Sequence, residues 1–229
     1  MKKRKTMKYS HGFAAAGATA LATALNGHAQ ASDSFFDHFY IGAGGGGALA
    51  QSISIVNNNP FAVHTSNTIK FDTGWRADGY MGYSFCRYLS AQLDSGIVWN
   101  DLTTLGGESL SGIASARLEQ VPVLAEGLFS YPLGQFKPYL LAGAGADFGI
   151  FHGSNFQNLG GPSSYNSTDT TLAYEAGLGF TYALTRHLDI GADYKFLGTT
   201  DHSWTSGGFN LKTGGTMEHT IEAKLSWRF

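Results

Sequence analysis

The chain has 229 residues, 15 Lys+Arg against 17 Asp+Glu, 31 glycines against five prolines, and 14% aromatic residues. Five basic residues fall within the first eight positions, so 10 basic and 17 acidic residues remain after residue 31, a net charge near −7 that argues against a nucleic-acid partner. A mean hydropathy of −0.10 argues against a helical membrane protein, and the lone Cys86 excludes an intramolecular disulfide.

In chain order, Lys2, Lys3, Arg4, Lys5 and Lys8 precede an apolar stretch from Phe13 to Leu25 and a small-x-small site, Ala29-Gln30-Ala31. This is the pattern of a secretory signal peptide (1–31), with cleavage expected after Ala31 and a second unit from 32 to 229. The apolar stretch is shorter than the ~20 residues of a spanning helix, and no other segment approaches that length. Any membrane crossing therefore falls to strands, and backbone amides in hydrocarbon are satisfied by strands only when the sheet closes.

Eight segments alternate apolar and polar residues with period two, the pattern of strands with two unlike faces. Strand one, about Phe39 to Ala50, sets Phe39, Ile41 and Ala43 outward and Tyr40, Gly42 and Gly44 inward. Strand two, about Lys70 to Phe85, sets Phe71, Trp75, Ala77, Met81 and Tyr83 against Asp72, Arg76, Asp78 and Tyr80. Strand three, about Tyr88 to Asn100, sets Leu89, Ala91, Leu93, Ile97 and Trp99 against Ser90, Gln92, Asp94 and Asn100. In strand four, about Ala116 to Tyr131, Arg117 and Glu119 share a parity with Val121, Val123 and Ala125; either those two lie beyond the membrane or a bulge near Pro122 resets the phase. Strand five, about Pro138 to Phe151, sets Leu140, Ala142, Ala144, Ala146, Phe148 and Ile150 outward. Strands six, about Asp169 to Leu184, and seven, about His187 to Leu197, follow the same rule. Strand eight alternates without interruption from Met217 to Phe229, with Ile221, Ala223, Leu225, Trp227 and Phe229 on its apolar face.

The connections alternate too. Cys86-Arg87, Pro132 to Lys137 and Thr185-Arg186 are tight, whereas 51–69, 101–115, 152–168 and 199–215 are long and polar. Short periplasmic turns and long outer loops are the rule of up-and-down barrels of the bacterial outer membrane, with outer-membrane lipid against the apolar face. Cys86 reads as a tolerated small residue in a turn, and Gly44 to Gly47 as a tightly twisted or bulged strand, since no helix follows to complete a phosphate cradle.

Phe39-Tyr40-Ile41-Gly42, the run Phe136-Lys137-Pro138-Tyr139-Leu140-Leu141-Ala142-Gly143-Ala144-Gly145, and the terminal Leu225-Ser226-Trp227-Arg228-Phe229 resemble the small eight-stranded outer-membrane barrels related to the OmpA transmembrane domain and the opacity-type surface proteins. The resemblance covers 32–229 and implies an all-β, eight-stranded antiparallel barrel. It also implies that Leu225, Trp227 and Phe229 act as the signal read by the barrel-assembly machinery. Cell-wall anchoring is not carried over, because no peptidoglycan-binding domain is expected after the barrel.

Eight strands enclose an interior that side chains can fill. The inward parity collects Arg76, Asp78, Asp94, Glu126, Asp147, Glu175, Asp189, Asp193, Lys195, Glu218, Glu222, Lys224 and Arg228. Because unpaired charge away from bulk water is costly, Arg76, Lys195, Lys224 and Arg228 should each touch a carboxylate. The first reading of this lumen is a plug; the second is a narrow cation-preferring conduit, with space left by Gly143, Gly145, Gly177 and Gly179.

His64-Thr65-Ser66-Asn67 is similar to the His-x-Ser-Asn element of lipid A deacylases, where histidine activates serine, but it falls in the first long loop rather than a late strand. His202-Ser203 and His219 beside Glu218 are weaker pairs. His64, His152 and His202 lie in three different loops without ligand spacing and read as isolated surface histidines, so no metal or cofactor is expected. Phe61, Phe156, Tyr165, Trp204 and Phe209 stud the polar loops as scattered surface aromatics. Three functions follow in order: a non-enzymatic surface protein with an envelope-structural role and a host or surface ligand at its loops, a narrow passive channel for small solutes or cations, and a lipid A-modifying hydrolase.

Overall fold

A computed structural model of the chain describes residues 38–56, 66–160, 162–206 and 209–229. The signal peptide, its cleavage site, Phe61 and His64 lie outside the described residues. The strands are β1 (Phe39–Ala50), β2 (Ile53–Ser54), β3 (Thr68–Phe71), β4 (Gly74–Ser84), β5 (Leu89–Leu105), β6 (Glu108–Ser109), β7 (Ser115–Ser130), β8 (Phe136–Ser154), β9 (Ser164–Ala183), β10 (Leu188–Thr199), β11 (His202–Ser206), β12 (Phe209–Thr213) and β13 (Met217–Arg228). A short 3-10 turn at Phe156–Leu159 separates β8 from β9.

Eight long strands form the wall: β1, β4, β5, β7, β8, β9, β10 and β13 pair antiparallel in that order, and β13 returns to β1, with Tyr40 opposite Arg228 and Ala50 opposite Glu218. The sheet is therefore a closed eight-stranded barrel, as the alternation of the sequence predicts, and no edge is left to expose amides to lipid. Its outer face carries large apolar side chains open to the surroundings, among them Met81, Leu93, Leu140, Leu172, Ile221 and Leu225. Aromatic pairs bracket that belt. Phe39 with Tyr83, Phe136 with Phe180 and His187 with Trp227 sit at the end of the short turns, and Trp75 with Trp99 toward the other end. From Leu89 to Trp99, β5 climbs about 26 Å along the axis at ~3.4 Å per residue and ~40° tilt, close to the ~25 Å apolar band of such barrels.

The ladders decide three sequence expectations about the wall. Strand two is broken, not continuous: the register shifts between Lys70 and Phe71, and the ladder stops at Asp72–Thr73, where the Asp72 carboxylate accepts the Thr73 N–H at 2.8 Å. The break exchanges the two parities. Below it Trp75 faces outward and Arg76 inward, but above it Ile69 is buried and Phe71 packs on the interior, while Asp72 is exposed instead of inward. In strand four no bulge occurs, because β7 runs against β8 from Ser115 to Ser130 in one register. Arg117 and Glu119 thus stay on the outward face above the girdle, where the Arg117 guanidinium lies 4.4 Å over the Trp99 ring and 3.0 Å from Asp101. The glycine run Gly44 to Gly47 pairs on both sides without a shift, so it holds no bulge.

The connections predicted as long loops are largely sheet. β5, β8 and β9 continue past the membrane belt, β2, β3 and β6 extend the wall around β5, and β11 and β12 form a hairpin above the barrel mouth. At the opposite end the turns are short, and Phe136 and Lys137, expected in a turn, already belong to β8. Cys86 is exposed in the turn between β4 and β5.

Candidate functional site

The interior is stacked in layers, each set by the inward parity of the strands. At the turn end, Tyr40, Tyr80 and Tyr139 fill the bore. The Tyr80 ring occupies the place a side chain at Gly42 would take, and the Tyr40 ring that of one at Gly82. Above them lies the charged layer. Arg76 Nε is 2.9 Å from Asp78 and 3.2 Å from Glu222; its Nη atoms lie 2.5 Å from Glu175 and 3.4 Å from Asp94. Lys195 Nζ contacts the same four carboxylates, at 2.7 Å from Asp78, 3.2 Å from Asp94, 3.4 Å from Glu222 and 3.6 Å from Glu175. Two cations thus bind four acids in a core where none of these six side chains is open to solvent.

Lys224 Nζ pairs with Asp193 at 2.9 Å and lies 4.2 Å over the Tyr80 ring, while Tyr139 donates to Asp193 at 2.8 Å. Arg228 pairs with Asp189 at 2.8 Å near the barrel's end. The remaining three inward acids take a carboxamide partner. Gln92 donates to Glu126 at 2.6 Å, Gln120 to Asp147 at 3.1 Å and Asn100 to Glu218 at 3.5 Å. Sequence parity sets Gln92 and Asn100 inward with Asp94 but does not assign them as partners of the acids, and it does not name Gln120. Gly143 and Gly179 leave no open bore: a side chain there would meet Glu126 and Tyr139 respectively, and at Gly145 and Gly177 the backbone of the adjoining strand.

Above the charges sits an apolar layer of Ala48, Val98, Leu124, Ala173 and Leu197. Higher still, beyond the girdle, a larger apolar core gathers Ile53, Ile69, Leu102, Leu118, Phe151, Phe156, Tyr165, Trp204 and Leu211. Phe156, Tyr165 and Trp204 are therefore buried and not surface aromatics; each is 0% exposed. The β11–β12 hairpin lays Trp204 into the mouth, its indole donating to Gly149 O at 3.1 Å while the Tyr165 hydroxyl donates to Trp204 O at 2.7 Å. The Phe61 and Phe209 side chains lie outside the described residues.

His202 is also corrected: it is a buried residue at the floor of this cap, not a surface histidine. Its ring stacks on Trp204 at 4.7 Å, and its Nε2 is 3.0 Å from Thr199 Oγ1; Asp147 and Asp169 stand 3.9 and 3.7 Å away. Burial pushes the imidazole down to about 4. Ser203 beside it is exposed and receives a bond from Asn210, so the two form no nucleophile–base pair. His152 points outward near Glu119, on the other face of the wall from His202, and no group of three potential metal ligands occurs among the described residues. Ser66 donates its backbone N–H to Gly106 O. His219 is on the outer face between Tyr194 and Gln51, at 2.6 and 2.8 Å, with Glu218 buried on the other side.

The model of the family described as "Outer membrane protein beta-barrel domain" matches residues 17–229. The chain belongs to this outer-membrane β-barrel family. That membership places the barrel in the outer membrane. Solved structures of similar fold include Neisserial surface protein A (16% identity, TM-score 0.53, covering 83% of this chain and 97% of that one) and the outer membrane protein OprG of Pseudomonas aeruginosa (18%, 0.53, 84% and 97%). A third is the outer membrane protein AlkL, solved in lipid bilayers (15%, 0.54, 89% and 95%). At these identities the likeness is one of fold. No curated protein matches the chain significantly.

Proposed function

We propose that this outer-membrane barrel is a non-enzymatic surface protein that stiffens the envelope and presents a rigid outer cap to a surface ligand. The observation that carries the reading is the filling of the bore: charged core, apolar ring and capping hairpin follow one another along the axis, each supplied by inward side chains. A filled interior supports a structural body over a conduit, and the turning of His202 to Thr199, with Ser203 engaged by Asn210, supports a packing role for this histidine. Binding then belongs to the outside of the cap, where β6, β11 and β12 hold exposed polar side chains on a rigid frame. The outward Leu225 and Trp227, with Phe229 after them, support recognition of β13 by the barrel-assembly machinery.

Cells displaying the chain are compared with cells displaying a variant whose β11–β12 hairpin is replaced by a short Gly-Ser turn. Adherence should fall while the spanning barrel stays assembled; equal adherence overturns the binding role. Lipid A from both strains should give the same mass spectrum, and a lost acyl chain in the strain carrying the intact chain contradicts the non-enzymatic reading.

A further inference from the structure

Charge is distributed unevenly along the barrel. The central layer is acid-rich, but the end with the short turns is basic: Arg87, Lys137, Arg186 and Arg228 gather there, and Asp189 is their one acidic neighbour among the described residues. That end holds a half-open cavity of about 70 Å³ lined by Lys137, Arg228, Lys224, Asp189, Ser130 and Thr181, with Tyr139 at its inner side. The volume holds several waters or one small ion with its waters.

The partners of these cations differ. Lys224 is engaged by Asp193 and Arg228 by Asp189, each through one oxygen. Lys137 makes no ion pair among the described residues, and Arg228 Nε is buried without a hydrogen-bond partner. Lys137 is on the inward parity of β8, two residues before Tyr139, so its position in the cavity is fixed by the wall and not by a turn. The cavity therefore holds one cation in excess and hydroxyls able to donate. That donor set fits an oxyanion, for which charge-assisted bonds from Lys and Arg are the strong contacts.

We propose that the periplasmic mouth of the barrel is a binding site for a small oxyanion, a phosphate or carboxylate group presented from the periplasm. Lys137 supplies the uncompensated charge beside Arg228, and Ser130 and Thr181 complete the shell. Tyr139 and the Lys224–Asp193 pair close the cavity on the lumen side, so the anion docks at the mouth and does not traverse the barrel.

The test is calorimetric titration of the full refolded chain in non-ionic maltoside micelles with inorganic phosphate and, separately, with acetate. One-to-one binding with a dissociation constant on the order of 1 mM is expected for at least one of them. Phosphate alone points to a phosphate-bearing ligand, acetate alone to a carboxylate, and both to a shell that reads charge only. Lys137→Gln should weaken binding roughly tenfold, Lys137→Arg should restore it, and Lys212→Gln in the outer cap should leave it unchanged. No saturable heat with either anion overturns the proposal, even if Lys137→Gln does not fold; so does binding that Lys137→Gln leaves intact.

Discussion

Arg76 shows how much a single side chain carries in this interior. Its guanidinium meets four carboxylates in a site sealed from solvent, and Lys195 is the other cation that reaches them. Arg76→Met fills much of the volume but leaves those acids sharing one ammonium, and should cost about 3–5 kcal/mol in urea unfolding from lipid vesicles. Adding Glu175→Gln should recover part of the loss, because one uncompensated charge is removed with its partner. Equal unfolding midpoints for the wild type and Arg76→Met would show that the charged layer does not hold the wall.

His202 reads out the cap. Its imidazole is neutral when docked, with a pKa near 4 against the ordinary 6.5, so the undocked hairpin binds the extra proton between those values. Docking is therefore at full strength above about pH 6.5 and is progressively lost as the pH falls toward 4. Hydrogen exchange of β11 and β12, corrected for its intrinsic pH dependence, should speed up roughly 10- to 100-fold across that window. In His202→Gln the window should vanish, and a wild-type hairpin equally protected at pH 7 and pH 4 would refute the assignment.

Among the elements, the β11–β12 hairpin is a two-stranded sheet separate from the wall ladder, so its docking leans on side chains, Trp204 foremost. Trp204→Ala removes the largest side chain of the upper core and should cost ~3–5 kcal/mol of hairpin docking. The damage should stay local: trypsin should cut faster at Lys212 while the spanning barrel keeps its heat-shifted mobility on a gel. If cleavage is unchanged, the hairpin is held by something other than its indole. Gly149 serves the same contact from the wall, since a side chain there would press on the His202 ring.

The wall elements were legible in the sequence because one rule governs all of them: between lipid and a filled lumen, each strand must alternate, so parity alone locates Ile221, Leu225 and Trp227 outside and Lys195 and Glu222 inside. Above the belt that rule fails. There both faces meet water or protein, Asp72 interrupts the ladder, and Ile69 and Phe71 turn inward on the parity that faces lipid lower down. Trp204 and Tyr165 looked like loop decoration because the Ser, Thr and Asn around them conceal a hairpin and a strand extension whose inward side is apolar. Lys137 escapes the sequence reading for a different reason: Pro132 to Lys137 reads as one tight turn, whereas the chain re-enters the sheet at Phe136.

For the whole molecule, the closed ladder, the outward apolar belt and the occupied interior are parts of one design. Pairing β13 with β1 satisfies the amides, lipid takes the outer parity, and the inner parity pairs within itself, sharing four acids between two cations with an apolar layer above them. On the proposed reading the lumen offers no continuous water path, and that property separates a surface protein from a conduit. Planar-bilayer recording of the refolded chain tests it most directly. The expected trace shows no steady current above that of the bare membrane, with the charged layer and the cap both in place; a large, persistent conductance on insertion of the wild-type barrel would contradict it.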